Sequence, residues 1–349
     1  METVNFDLIN RIRKHINRTK KQSEILPFRL RWNKLTSALN VLEDTSWAVE
    51  YYLEADYPKD VKGKYLFLYG LLQALYVQQD AVRSIYFGLF DKELKKGISS
   101  HIQKALKVRN LRNDTIGHPT DLGESTKKEL DLKQVYSISI AQFSMTKESF
   151  YYCKYNAKDR SNDSIENVNV MQAIEDNAKC INDILQRVVN DLDKEFKEYI
   201  EKHRDRKMAD IFNTLHYAEE KALLDDVMQS WGYKATKEMV AKCEEELVKR
   251  YGSVDTVDSF KYLLEEIHEL YSLIDNIYNI STENQDRLWH YLVELLFVKL
   301  HELEDCCKET DEYFENYGET IIDSDNDSEG VTLNIVFPDG SKDDEEIMK

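Results

Sequence analysis

A chain of 349 residues with 42% apolar and 32% charged residues is long enough for a sizeable core and needs no covalent staples. Eleven Gly and four Pro are few for a chain built on strands and turns, so the composition points to a mainly helical fold. A net charge of −18 weighs against partners held through phosphates, yet residues 1–120 carry 20 Lys+Arg against 13 Asp+Glu while the remainder carries 27 against 52.

The five cysteines, Cys153, Cys180, Cys243, Cys306 and Cys307, form no CxxC pair, and the one close pair is adjacent in sequence, which is poor geometry for a bridge. A reducing, cytoplasmic setting is expected. The first residues lack the uninterrupted apolar core of a secretory signal, and Glu2, Asp7 and Glu24 argue against a transit peptide. The longest uncharged run, Tyr65 to Gln79, is shorter than a bilayer requires, so it reads as a buried helix and no membrane partner is expected.

In chain order, Phe28, Trp32, Leu35, Leu39 and Leu42 fall on one helical face, which predicts a helix from Phe28 to Tyr57 ended by Pro58. A second helix, Lys64 to Phe90, is apolar nearly all round in its first half and is expected to be the central element of a bundle. A third, Asp91 to Thr115, closes at Gly117 and Pro119. The period then shortens to two: "KQVYSISIAQFS" and "SFYYCKY" predict a β-hairpin at about 133–155. Helical spacing returns at Ile174, Ala178, Ile181, Leu185, Val188, Leu192 and Phe196, extending to about His203.

The charged segment His203 to Asp210 is taken as a boundary between a domain at 1–204 and helices at about 207–229, 235–251, 256–279 and 283–316. Thr282 and Gln285 form a capping box, and Gly232 and Gly252 punctuate earlier helices. From Leu303 onward 16 Asp+Glu face 3 Lys, so residues 318–349 read as an acidic, flexible tail in which "VTLNIVF" allows one strand.

The stretch "RNLRNDTIGHPT", residues 109–120, carries the chemistry. On a continuous helix Arg112 and His118 lie about 120° apart, but a Gly-Pro stop near Ile116 puts His118 on a loop able to turn back toward Arg112, Asn113 and Asp114. A cation, an amide and an imidazole then converge. His118 titrates near neutrality and suits proton transfer, Arg112 supplies fixed positive charge, and Asn113 can donate to an anion or hold the imidazole. Asp114 either orients His118 or caps a turn. The plainer reading makes Arg112 and Asp114 solvated helix-end residues, with His118 bonded to backbone near Pro119.

These residues, Arg112-Asn113-Asp114-Thr115-Ile116-Gly117-His118, resemble the HEPN (higher eukaryotes and prokaryotes nucleotide-binding) domain family, whose ribonuclease members carry an Arg, four to six residues, then a His. Asn113 fills the polar position that commonly follows the family's Arg, the motif follows a long apolar helix, and the resemblance covers roughly residues 28–200. It implies a HEPN-like helical bundle with a β-hairpin insertion, followed by a second helical region and the acidic tail. It further implies metal-independent RNA cleavage, in which a ribose 2′-hydroxyl attacks the neighbouring phosphorus and leaves a 2′,3′-cyclic phosphate and a 5′-hydroxyl. Family members build the cleft between two protomers, so a homodimer is expected, in a toxin–antitoxin or antiphage setting. Some members are inactive, and an interaction or dimerisation module is the alternative.

Arg109, Arg11, Arg13, Lys14 and Arg18 are candidates for guiding RNA by long-range attraction, a solvated basic face being the equal alternative. "WAVEYYLEADY" and "SFYYCKY" offer aromatic rings for stacking, although such rings are commonly core. The run at Asp323, Asp325 and Asp327 starts like a calcium loop but has Ser328 where glycine belongs and Asn334 where a bidentate Glu belongs. No HExxH or Cys/His metal spacing occurs, nor any GxGxxG, GxxxxGK[ST] or GxSxG, so neither a metal nor another cofactor is expected. The acidic C-terminal region is a candidate surface for an antitoxin or regulatory protein, and the tail a candidate competitor for the basic cleft.

Overall fold

The computed structural model describes residues 1–94, 99–117, 136–156, 159–224, 227–277 and 285–323, with the backbone alone at 136, 227–229 and 317–323. The chain is mainly helical with one small antiparallel sheet, and divides into two compact units, Met1–Lys194 and Glu195–Lys349. None of the helices among the described residues is long and apolar enough to cross a membrane.

In the first unit, α1 (Phe6–Ile16) starts at Asn5, whose side chain accepts from the Asp7 amide, and ends in Arg13, Lys14 and His15, so its charges complement the helix dipole. After α2 (Thr19–Ile25), α3 (Arg29–Glu54) and α4 (Val61–Phe90) form the central pair. Asp60 caps α4 by accepting from the Gly63 amide, and Asp91 in the left-handed region ends it. A Cβ at Gly88 would stand 2.7 Å from that of Leu35, so the missing side chain is what lets α3 and α4 approach. The first half of α4 is not all core as expected: Leu66 and Tyr69 are 72% and 41% exposed.

The third predicted helix starts later than the sequence suggested. α5 spans Ile102–Arg112, and a π-helical turn, Asn113–Gly117, continues it beyond the expected end near Ile116. Asp91 caps the end of α4 and does not open the third helix, because a positive φ there cannot propagate a right-handed helix. The hairpin gains a third strand: β1 (Tyr136–Ile140), β2 (Ser149–Asn156) and β3 (Ser164–Asn169) form a sheet in the order β1-β2-β3. β3, "SIENVN", escaped the sequence reading because only Ile165 and Val168 in it are apolar. α6 (Val170–Arg204) completes the unit, and the boundary between units falls within it.

Two apolar clusters fill this unit, one around Ile9, Leu39, Ile85 and Leu185, the other joining the first half of α4 to Val108, Phe150 and Ile174. A buried polar chain crosses the helices: Gln78 Nε2 donates to Ser46 Oγ (3.3 Å), Asn177 Nδ2 to Gln78 Oε1 (2.9 Å), and Gln79 Nε2 to both Asn177 Oδ1 and Ala105 O (2.8 Å each). Each member is paired, so the polar groups fix the register of α3, α4, α5 and α6 without an unmet donor in the chain.

The second unit holds α7 (Leu215–Ala222), α8 (Val227–Tyr251), α9 (Asp258–Asn276) and α10 (Gln285–Asp323) around a core that includes Leu264, Ile267, Val293 and Leu300. The helix expected at 207–229 is instead a 3₁₀ turn at Ala209–Phe212 followed by α7, and Gly232 lies inside α8 and does not punctuate it. A Cβ there would meet Ala218 O and Ala222 N at 2.5 Å each, so this glycine serves a close approach of α7. Gly252, at φ 86°, does end α8 as expected, its amide bonded to Val248 O at 2.8 Å. All five cysteines are free thiols. Thr282 of the capping box, the "VTLNIVF" strand, and Asp325, Asp327 and the tail beyond Asp323 lie outside the described residues.

Candidate functional site

Arg112 is the last residue of α5, where a cation complements the helix dipole. Its guanidinium is fixed from three sides. Nε and Nη2 donate to Gln73 Oε1 (3.0 and 2.8 Å), Nη1 donates to Asn113 Oδ1 (3.2 Å), and Cζ lies 4.4 Å from the centroid of Tyr76. One turn earlier Arg109 also stacks on Tyr76, at 3.8 Å, while donating to Tyr76 Oη and to Asp80 Oδ1 (2.8 Å each). Gln73, Tyr76 and Asp80 share one face of α4 at three- and four-residue spacing, so a single helix organises both arginines.

The difference between the two lies in charge. Arg109 is neutralised by Asp80, whereas the hydrogen-bond partners of Arg112 are neutral amide oxygens. Gln73 and Asn113 therefore orient Arg112 without cancelling it, which leaves its charge available to an anion.

The π-helical turn brings Gly117 back over Arg112. In such a turn residue i+5 overlies residue i, and a Cβ at Gly117 would stand 2.7 Å from Arg112 Nη1 and 3.6 Å from Arg112 O. The guanidinium thus packs against the residue immediately before His118. The widened turn produces this contact, and Pro119 of the expected Gly-Pro stop lies outside the described residues. His118 itself lies outside the described residues.

Asp114 lies within electrostatic reach of Lys154 in the sheet. Partial burial raises its carboxyl above the usual carboxylate range, against the attraction of Lys154. Lys154 of β2 stands 3.9 Å from Glu166 Oε1 and 5.4 Å from the Tyr152 ring, and Tyr152, Glu166 and Asp114 outweigh the partial burial that would lower its affinity for a proton. The β2–β3 register sets Tyr152 opposite Glu166, which is how the sheet assembles this group. Asp114 is therefore a half-buried carboxyl in the field of an ammonium group.

The other basic candidates form a separate network. Arg11 pairs with Asp193 (2.6 Å), Arg13 with Glu43 (2.8 Å) and Asn40 (3.0 Å), and Arg18 donates to Nδ1 of the buried His15, whose Nε2 meets Asp193 (2.6 Å). Burial and Arg18 hold His15 down at about 4, so it is neutral near pH 7. Lys14 is exposed on α1. Of the stacking candidates, Trp47, Tyr51, Tyr151 and Tyr155 are exposed, while Tyr52, Phe150 and Tyr152 are core.

Sequence reasoning missed Gln73, Tyr76 and Lys154. The first two had a readable signal, polar groups at helical spacing inside the run "LLQALYVQQD"; Lys154 had none, since its role depends on strand register. Among the described residues no group of three His, Cys, Asp or Glu side chains is arranged to hold a metal ion. The chain matches no family model, no curated protein and no solved structure.

Proposed function

We propose that the first unit is a metal-independent endoribonuclease of the HEPN type, working as a homodimer in a bacterial toxin–antitoxin or antiphage setting. The single observation that carries this reading is the state of Arg112: fixed by Gln73, Asn113 and Tyr76, bonded to neutral acceptors, and packed against the residue before His118. A cation so held costs little reorganisation when charge develops on phosphate oxygens. In the reaction the 2′-oxygen attacks phosphorus, the bond to the 5′-oxygen breaks, and the proton of the 2′-hydroxyl is passed on as the leaving oxygen takes one up. His118 is assigned that proton transfer, Asn113 the positioning of Arg112, and Asp114 the support of the turn through Lys154. The acidic C-terminal region is assigned to an antitoxin or regulatory partner.

A second reading, an inactive helical interaction or dimerisation module, is favoured by one observation. Leu66 and Tyr69 are exposed on the first half of α4, and a Cβ at Gly70 beside them would meet nothing within 4 Å. The two readings separate on labelled RNA incubated with the full chain in EDTA, beside Arg112→Ala and His118→Ala. Cleavage by the wild type that ends in a 2′,3′-cyclic phosphate, and falls by roughly 10²-fold or more in both variants, supports the nuclease. No cleavage of several RNAs, or variants as active as the wild type, sinks it.

A further inference from the structure

α10 carries two apolar stripes, and the fold of the second unit uses one of them. Trp289, Val293, Leu296, Phe297 and Leu300 are buried in its core. Leu288, Tyr291, Leu295 and Val298 follow one another at spacings of three, four and three residues, and they are 38%, 64%, 37% and 53% exposed. At about 100° per residue this second stripe is centred roughly 150° round the helix from the buried one, so the helices that cover one leave the other open. Its spacing is that of a coiled-coil seam, and its four side chains together offer on the order of a few hundred Å² of apolar surface, the size of patch that marks an interaction site.

The charges that bound this stripe set the direction of what covers it. Arg287 precedes it and Glu302 follows it, both exposed, and beyond Glu302 the same side of the helix turns acidic at Asp305 and Glu309. Glu302 accepts from Lys299 at 2.9 Å, yet its side chain remains 49% exposed. A parallel copy of α10 would set Arg287 against Arg287, and Glu302 and Asp305 against their own kind. An antiparallel copy, related by a two-fold axis level with the midpoint of Tyr291 and Leu295, sets Leu288 opposite Val298 and Tyr291 opposite Leu295. It brings each Arg287 within reach of the other copy's Glu302 and carries the two acidic ends apart. Each Glu302 also comes beside the N-terminal end of the other α10, which starts at Gln285 and where the helix dipole favours a carboxylate.

We propose that the Leu288–Tyr291–Leu295–Val298 stripe is a seam by which a second copy of this chain docks, the two α10 helices packed antiparallel. The order cation, four apolar side chains, carboxylate is self-complementary when reversed, which is the condition a two-fold contact sets on one surface. The acidic continuation of the same side repels nucleic acid, so the occupant is a protein surface. Apolar burial of this size from each copy lies at the small end of specific interfaces, which places the dissociation constant in the micromolar range. The seam belongs to the second unit and does not depend on the nuclease reading.

The test is sedimentation equilibrium of the full chain from about 1 to about 100 μM, where a micromolar dimer dissociates measurably. Tyr291→Glu/Leu295→Glu is compared with Leu66→Glu/Tyr69→Glu, the same change on the exposed face of α4, and retained helicity by circular dichroism confirms that each variant is folded. The α10 pair is expected to weaken self-association at least ~30-fold, the loss that marks a central interface residue, and the α4 pair to leave it within about twofold of wild type. Arg287→Glu alone should weaken it about fivefold, and Arg287→Glu/Glu302→Lys should restore it to within about twofold, because only an antiparallel seam sets these two positions against each other. A chain that stays monomeric over the whole range overturns the seam, as does a dimer lost in the α4 pair but kept in the α10 pair. Arg287→Glu without effect, or without rescue by Glu302→Lys, overturns the antiparallel register. A chain that cuts no RNA but dimerises through α10 keeps the seam and removes the nuclease; cleavage by a wild type that remains monomeric does the reverse.

Discussion

Two arginines stacked on aromatic rings, one in each unit, show how environment divides a residue type between chemistry and architecture. Arg112 lies over Tyr76 at the end of α5 with neutral amide partners. Arg250 lies 4.8 Å from the Phe314 ring, fully buried, and is surrounded by compensation: Nη2 donates to Arg206 O, Nε donates to Glu246 Oε1 (3.4 Å), and Nη1 stands 3.5 Å from Asp311. Asp311 in turn accepts from the Met208 and Ala209 amides, at 2.9 Å each. Both guanidinium groups are held rigidly. A buried cation must have counter-charge, whereas one oriented by neutral acceptors at a surface keeps its field for a ligand.

The largest expected effect tests that contrast directly. Arg250→Ala leaves Glu246 and Asp311 buried without their cation and should cost about 3–5 kcal/mol of stability in urea unfolding. Arg112→Ala should change stability by no more than ~1 kcal/mol yet lower RNA cleavage by roughly 10²–10³-fold. If the two variants exchange these signatures, the division between the units is wrong.

Acid should sharpen the comparison less, because among the described residues each unit carries one buried neutral histidine. Burial and Arg250 hold His203 at about 4, and burial and Arg18 hold His15 at about 4. A base with a lowered native affinity binds fewer protons folded than unfolded, so its contribution is intact above the unfolded value near 6.5 and is lost as pH falls toward 4. Each site accounts for a loss of the order of 3 kcal/mol over that window. His203→Gln should flatten the acid limb of the unfolding curve by one such share, and an unchanged limb would show that His203 is already protonated when folded.

Two glycines give the smallest and most selective pair. A Cβ at Gly232 meets backbone of α7, which cannot yield, so Gly232→Ala should cost about 1–3 kcal/mol. A Cβ at Gly117 meets the mobile end of Arg112, so Gly117→Ala should cost under ~1 kcal/mol in stability while shifting the guanidinium and slowing cleavage up to ~10²-fold. Melting temperature and cleavage rate on the same preparations separate the two, and a Gly117→Ala protein with full activity would show that the packing of Arg112 on this turn is irrelevant to the reaction.

Periodicity made the long helices legible because their apolar residues are many and regularly spaced: Leu35, Leu39 and Leu42 are fully buried, as are Ile174, Ile181 and Leu185. β3 was hidden because burial at its strand positions falls largely on polar side chains, and α8 was misread at its start because a glycine that stops one helix allows another to pack. Within the site, Arg112, Asn113 and Asp114 were marked by their adjacency, and Arg109 by its place one turn before. Their partners on α4 were not, because Gln73 and Tyr76 meet the two arginines only once α4 and α5 lie side by side.

By itself the sequence determined which residues are able to do chemistry, since side-chain type, helical phase and the basic character of α5 are local properties of the chain. Tertiary structure alone decided which of those charges are spent within the fold. Arg11, Arg13, Arg109 and Arg250 find carboxylates on other elements, and Arg112 finds amides. The reason is physical: the field at a charged group depends on its neighbours in space, and those come from segments that no local pattern connects.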